Sequence, residues 1–288
     1  MSLPGWLAEP AQRLDRMLEG ARTPHAVLID GPGGWGEGLL ASHFVLRLLG
    51  EERTADARSL AHPDLRWVEP EDATVKIEQV RDLTGFMFQT AVRGATKAAV
   101  LEQADRMTVN AANALLKTLE EPPPGSYLVL VTSAPQRLPA TVRSRCQRVP
   151  VHPAGPDAVA AWLRERSLDS PHVAPLLVEL GGAPYRVLEA LEREEKPIWD
   201  VLQAVAAGRK GALDAAAEWR TADLPELCAR WLRHVHRMVR TRPDPRPLLD
   251  FAARLTALRA AALANSGLAR QTQLERVLLD WRDVSAFA

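Results

Sequence analysis

With 288 residues the chain is long enough for two or three domains, each with its own apolar core. Its 36 Lys and Arg balance 36 Asp and Glu, and a net charge of zero excludes a general nucleic-acid binder acting alone, because nonspecific phosphate affinity needs an excess of cations. Two distant cysteines, Cys146 and Cys228, exclude a disulfide framework and suit a reducing cytosol. No apolar run reaches the ~18 residues of a spanning helix, and the first turns, with Glu9, Asp15 and Glu19, lack the basic start and apolar stretch of a secretory signal. A cytoplasmic chain without membrane partners is expected.

Residues 4–20, with Trp6, Leu7, Leu14, Met17 and Leu18, predict an amphipathic entry helix, broken over 22–25. Ala26, Val27, Leu28 and Ile29 predict a strand running into Asp30-Gly31-Pro32-Gly33-Gly34-Trp35-Gly36-Glu37-Gly38, followed by an apolar helix over 39–49. Strand, glycine loop and helix form the context of a phosphate-binding loop. The pattern asks for Gly, four residues, Gly, Lys, then Ser or Thr. Gly31 and Gly36 are in place, but Glu37 holds the lysine position and Gly38 the hydroxyl position. The lysine neutralises the β and γ phosphates and the hydroxyl ligates magnesium. A carboxylate facing a polyanion at ~4 Å and an effective dielectric near 20 costs about 4 kcal/mol per like-charge encounter. A glycine turn that keeps its shape, and that can still accept an anion on its backbone amides, is the reading these residues favour.

His62-Pro63-Asp64 and Trp67-Val68 lead into the next strand, and residues 75–92 read as a helix. Ala98 to Leu101, apolar and too short for a helix, predicts a buried parallel strand ending at Glu102-Gln103. From Asn110 the period turns helical, with Ala112, Leu115, Leu116 and Leu119 on one face, until Pro122, Pro123 and Pro124 stop it. Tyr127 to Val131 is a further strand, delivering Thr132 and Ser133 to its end, and Ser144-Arg145-Cys146 follows a polar stretch from which an arginine can face outward. This is the grammar of a doubly wound sheet, whose functional groups sit at the carboxyl ends of its strands.

From Val149 the composition shifts: Pro150, Pro153, Gly155 and Pro156 predict a linker, and the periods become helical. Asp157 is the expected N-cap of a helix through Trp162 and Leu163. A helix over 173–180 ends at Gly181-Gly182, another carries Arg186 and an apolar face of Val187, Leu188 and Leu191, and Pro197 marks the next boundary. The alanine-rich remainder contains Trp199, Trp219, Trp231 and Trp281. There Trp231, Val235, Met238 and Val239 line one helix face and Arg230, Arg233, Arg237 and Arg240 another, the latter a solvated face by the commoner explanation, or a contact for DNA or an acidic partner. The last helix presents Leu274, Val277, Leu278 and Trp281.

The stretch NALLKTLEEPP (113–123), followed by Ser144-Arg145-Cys146, resembles the clamp-loader branch of the AAA+ proteins, and KIEQVRDL (76–83) is similar to a helix of the same branch. The resemblance implies an AAA+ α/β domain with a parallel sheet over 1–151, a small helical lid over 152–196 and an all-α collar over 197–288 that holds subunits in a ring. ATP-hydrolysing relatives end the 98–101 strand in an Asp-Glu pair. Here Glu102-Gln103 stands there, and glutamine cannot act as a general base. With Glu37 and Gly38 in the loop, both sites have lost the group that ATP hydrolysis needs, so neither ATP binding nor ATPase activity is expected of the chain alone. The four-cysteine zinc module often found between 50 and 63 is also missing, and His62 alone cannot build a tetrahedral site, so no zinc is expected.

Two arginines take their readings from the same resemblance. Arg186 sits where lid arginines touch phosphates, but with a disabled loop a structural role is the expectation. Arg145, with Ser144 and Cys146, is expected to act in trans as an arginine finger on ATP held by a neighbour; the alternative is that it pairs with an acid of its own domain, a job for which Arg143 is available. The combination of lost and retained residues is similar to the delta-prime subunits of bacterial DNA polymerase III, a DNA-directed DNA polymerase. Expected partners are then gamma/tau and delta subunits and, through the complex, the sliding clamp and primed DNA. The rival readings are an active AAA+ ATPase of recombination or repair and a free-standing regulator that borrowed the fold.

Overall fold

β1 (Ala26–Asp30) is buried at every residue because both of its edges are paired and both of its faces are covered. The computed structural model describes residues 3–20, 23–51, 56–71, 74–166, 170–264 and 269–286. β1 belongs to a five-stranded, all-parallel sheet with β2 (Leu65–Val68), β3 (Lys97–Leu101), β4 (Ser126–Thr132) and β5 (Gln147–Pro150), in the order β2-β3-β4-β1-β5. The chain leaves β1 for the far edge and later returns to both sides of it, which makes the carboxyl end of β1 a switch point of the sheet. Asp30 lies in register with Thr132 there, so the loop that follows opens beside the end of β4.

A 3-10 turn (Gly5–Leu7) and α1 (Ala8–Glu19) replace the single entry helix. Of the break expected over 22–25, residue 22 lies outside the described residues and residues 23–25 precede β1. α2 (Glu37–Leu48) and α4 (Val109–Glu120) follow β1 and β3, the latter capped by the Thr108 side chain accepting from the Ala111 amide. The helix expected over 75–92 is shorter: α3 spans Ile77–Met87. Val75 pairs instead with Met107, and beyond the helix the Val92 and Arg93 amides donate to the buried Asp64 carboxylate, each at 2.7 Å. Leu28, Leu101, Leu115 and Leu130 meet in the core beneath α3 and α4, each worth roughly 1.5–3 kcal/mol of burial. Val149 and Pro150, expected in a linker, belong to β5, and α5 (Ala140–Arg143) precedes that strand.

The structure divides once, into Met1–Ala158 and Val159–Ala288, within α6 (Pro156–Glu165). The expected boundaries fell after residues 151 and 196, and residues 159–196 share a unit with 197–288. Asp157 is in the first turn of α6 rather than its N-cap, because the helix already begins at Pro156. The second unit continues through α7 (Val173–Glu179), α8 (Pro184–Glu192), α9 (Ile198–Ala206), α10 (Ala212–Glu218), α11 (Leu224–Val239), α12 (Arg246–Leu263) and α13 (Arg270–Ala286). Its core is aromatic: Trp231, Phe251 and Trp281 lie within 5.4–5.7 Å of one another, ring centre to ring centre.

Within the second unit, Glu179 joins residues 159–196 to the helices that follow. Its carboxylate, 0% exposed, accepts from the Trp199 amide (3.0 Å), is 3.1 Å from His234 Nε2 and pairs with Arg230 (2.7 Å), tying α7 to α9 and α11. Arg230 also meets Glu195 at 3.1 Å, and Arg233 donates to the Glu179 carbonyl. The stripe expected to be solvated is therefore split: Arg237 and Arg240 are exposed, while Arg230 and Arg233 are spent inside the unit.

Candidate functional site

The glycine loop after β1 keeps its shape, and it is full. Gly33, Gly34 and Gly36 have φ of +86°, +80° and +96°, the left-handed conformations that let successive amides turn inward. Glu37, the first residue of α2, folds its side chain back into that concavity. Its Oε1 accepts from the Gly33 amide at 2.9 Å and its Oε2 from the Trp35 amide at 2.9 Å, with the residue only 6% exposed. A Cβ on Gly31 would run into the same carboxylate, which explains the glycine there. Backbone amides at a helix N-terminus are an anion site, and here the chain supplies the anion from the lysine position of its own motif. Trp35 is buried against Trp6, ring centres 6.1 Å apart, and Trp6 Nε1 donates to the Trp35 carbonyl at 2.9 Å, so the loop is pinned from outside as well.

The cation position is taken too. Arg58, on the 3-10 turn Ala57–Ser59, donates through Nε to Glu102 Oε1 at 3.0 Å and through Nη2 to the same oxygen. A Cβ on Gly38 would run into the Arg58 guanidinium and the Glu102 carboxylate. The Ser or Thr that the motif asks for would have to push the ends of the Arg58 and Glu102 side chains aside. Burial pushes the Glu102 carboxyl up, and Arg58 opposes this without cancelling it. Gln103 is exposed, in a left-handed turn with φ +48°. At the neighbouring strand ends, Arg148 clasps Asp30 through two bonds of 2.6 Å, and Asp105 accepts from Thr132 Oγ1 at 2.6 Å.

The Ser144-Arg145-Cys146 triplet divides between surface and interior. Arg145 Nη1 donates to the Thr141 carbonyl at 2.9 Å and lies 3.4 Å from Ser144 Oγ, while Nη2 is 2.8 Å from Glu120 Oε1 at the end of α4. Arg145 does pair with an acid of its own domain, and the pair is open, with side-chain exposures of 35% and 52%. Exposed pairs of this kind are worth about 0–1 kcal/mol, so a polyanion can displace Glu120. Cys146 turns inward against the core, and burial pushes its thiol up to about 12, which leaves it protonated and unreactive.

Comparison with known proteins settles the family. Residues 7–154 match the family described as "DNA polymerase III, delta subunit". The chain is 34% identical over 226 residues to the DNA polymerase III subunit delta' of Pseudomonas aeruginosa, covering 72% of this chain and 69% of that one. The chain belongs to the DNA polymerase III delta' subunit family. Against the delta' subunit of Bacillus subtilis the identity is 37% over 185 residues, 61% of this chain and 55% of that one. The matched stretch therefore spans little more than half of that relative's length. A DNA polymerase III gamma subunit-related protein of Thermotoga maritima has the same fold, with a TM-score of 0.57 over 96% of this chain and 99% of that one, at 18% identity.

As a delta' family member the chain has a parallel sheet with a glycine loop after β1, and its own residues fill that loop. Sequence reasoning missed Arg58 and Arg148. The only signal for Arg58 was indirect: with Gly38 unable to bring a metal, Glu102 needed another counter-ion. Arg58 comes from the cysteine-free stretch, whose residues 52–55 lie outside the described residues. Among the described residues no group of three or more His, Cys, Asp and Glu is placed to hold a metal ion, and no helix is long and apolar enough to cross a membrane. Arg186, in the second unit, pairs with Glu226 on α11 at 2.6 Å.

Proposed function

We propose that the chain is a non-hydrolysing delta' subunit of a clamp-loader complex of DNA polymerase III, assembled with gamma/tau and delta subunits in the cytoplasm. In this reading it binds neither ATP nor zinc, and it lends Arg145 to ATP held by a neighbouring subunit while the complex opens the sliding clamp onto primed DNA. Helices of the second unit serve as lid and collar, the latter joining the ring. The single observation that carries the reading is the Glu37 carboxylate on the Gly33 and Trp35 amides: the anion site is already satisfied, so a triphosphate would have to evict a buried, hydrogen-bonded side chain of its own charge. Arg58 on Glu102 adds a second obstacle where magnesium would sit.

A guanidinium suits the role in trans. It is always charged, and its planar fork matches the oxygens of a transferring phosphoryl group as charge spreads over them. Arginine fingers of this type raise turnover by roughly a thousand-fold or more. In the complex, Arg145→Ala should leave assembly intact and lower the ATPase rate steeply. An unchanged rate, or loss of assembly, would remove the finger role. Tight, magnesium-dependent ATP binding by the isolated chain would favour the rival reading of an active ATPase.

A further inference from the structure

The contact between Glu120 and Arg145 points to a residue with a duty of its own. Glu120 is the last residue of α4, with Glu121 beside it. A carboxylate in the last turn of a helix faces the negative end of the macrodipole, so local helix energetics argue against an acid here and the residue calls for another reason. That reason lies 2.8 Å away, in Arg145 Nη2. The guanidinium is divided between two anchors. Nη1 is tied by hydrogen bond to the Thr141 carbonyl, one of the last carbonyls of α5. Nη2 pairs with the Glu120 carboxylate at 2.8 Å. The edge formed by Nε and Nη2, which binds phosphate or carboxylate bidentately, is therefore occupied on its Nη2 side by a carboxylate of the same chain, in an open pair.

We propose that Glu120 is a positioning residue for Arg145: its carboxylate holds the guanidinium outward through Nη2, keeping the bidentate edge at the surface, until the phosphates of a neighbour's nucleotide displace it. The inference rests on the reading of Arg145 as a group acting in trans. The hold is weak enough to be exchanged, and its contribution is to spare the complex the search among the many rotamers of a long side chain.

The test is a double-mutant cycle on the assembled complex, with kcat and KM for ATP hydrolysis and the extent of assembly measured for each variant. Glu120→Gln keeps size and removes charge. It should lower kcat about two- to five-fold, the fold-change that corresponds to an exposed ion pair, with KM and assembly unchanged. Glu120→Asp should recover part of the loss. Arg145→Ala should lower kcat far more, and the double variant should match Arg145→Ala alone. If Glu120→Gln turns over at the wild-type rate while Arg145→Ala is slow, the positioning role is wrong and the finger stands. If Arg145→Ala is unimpaired, both fall. A double variant slower than Arg145→Ala by the Glu120→Gln factor, or a Glu120→Gln complex that fails to assemble, would make Glu120 an independent structural residue and overturn the inference.

Discussion

Glu37 Oε1 lies 2.9 Å from the Gly33 backbone nitrogen, so a side chain fills the hollow that the glycine loop builds for a phosphate. The substitution at the lysine position thus supplies a resident anion as well as removing a cation. Replacing Glu37 by Ala leaves the Gly33 and Trp35 amides without their acceptor in a closed setting. The expected cost is about 2–4 kcal/mol, from two hydrogen bonds to a charged group. Chemical denaturation of the variant and the parent measures it.

Restoring the motif's hydroxyl should disturb the Arg58–Glu102 pair. Gly38→Ser places its Cβ against the ends of both side chains, which must swing aside, so a cost of about 1 kcal/mol is expected, with no gain in magnesium-nucleotide binding. Adding Arg58→Ala should remove the nearer of the two contacts, leave that with Glu102, and strand the Glu102 carboxylate. Thermal unfolding of the parent and the two variants separates these effects.

In the second unit, Glu179 links stability to pH. Burial alone would raise its carboxyl; His234, the Trp199 amide and Arg230 together hold it below the usual 4.5. A depressed folded-state value means that the stabilisation is fully present above about pH 4.5 and is lost as pH falls through the folded value. Glu179→Gln should therefore destabilise by about 3–5 kcal/mol at pH 7, as expected for breaking a buried pair. The gap to the parent should narrow below pH 4.5. Denaturant midpoints across pH 3–8 check the sign.

The central strands and α4 were legible because burial on both faces leaves an apolar run and α4 has a 3.6-residue period. β2 and β5 were less so, since both are edge strands and β5 buries only Val149, so their few residues carry no pattern that separates them from a linker. The motif positions Gly31, Gly36, Glu37 and Gly38 showed where the loop lies and that it lacks the lysine and hydroxyl of the pattern. What fills it was not legible: the fold-back of Glu37 depends on three left-handed glycines, and Arg58 reaches Glu102 across 44 positions of sequence. The same holds for Glu179, an acid on a short helix whose partners are 20 to 55 residues away.

Cys146 belongs to the Ser144-Arg145-Cys146 triplet but packs inward against the core. With its thiol raised to about 12 and that of Cys228 to about 11, both by burial, neither should react with a thiol reagent at pH 8 in the folded chain. Both should react on unfolding. Rapid native labelling of Cys146 would mean that its surroundings open.

The account rests most directly on the purified chain's response to nucleotide. Isothermal titration of magnesium-ATP into it should give no binding heat up to millimolar concentration. Saturable, magnesium-dependent uptake with a Kd below about 10 μM, roughly −7 kcal/mol, would show that Glu37 and Arg58 yield to the triphosphate, and the account would be wrong.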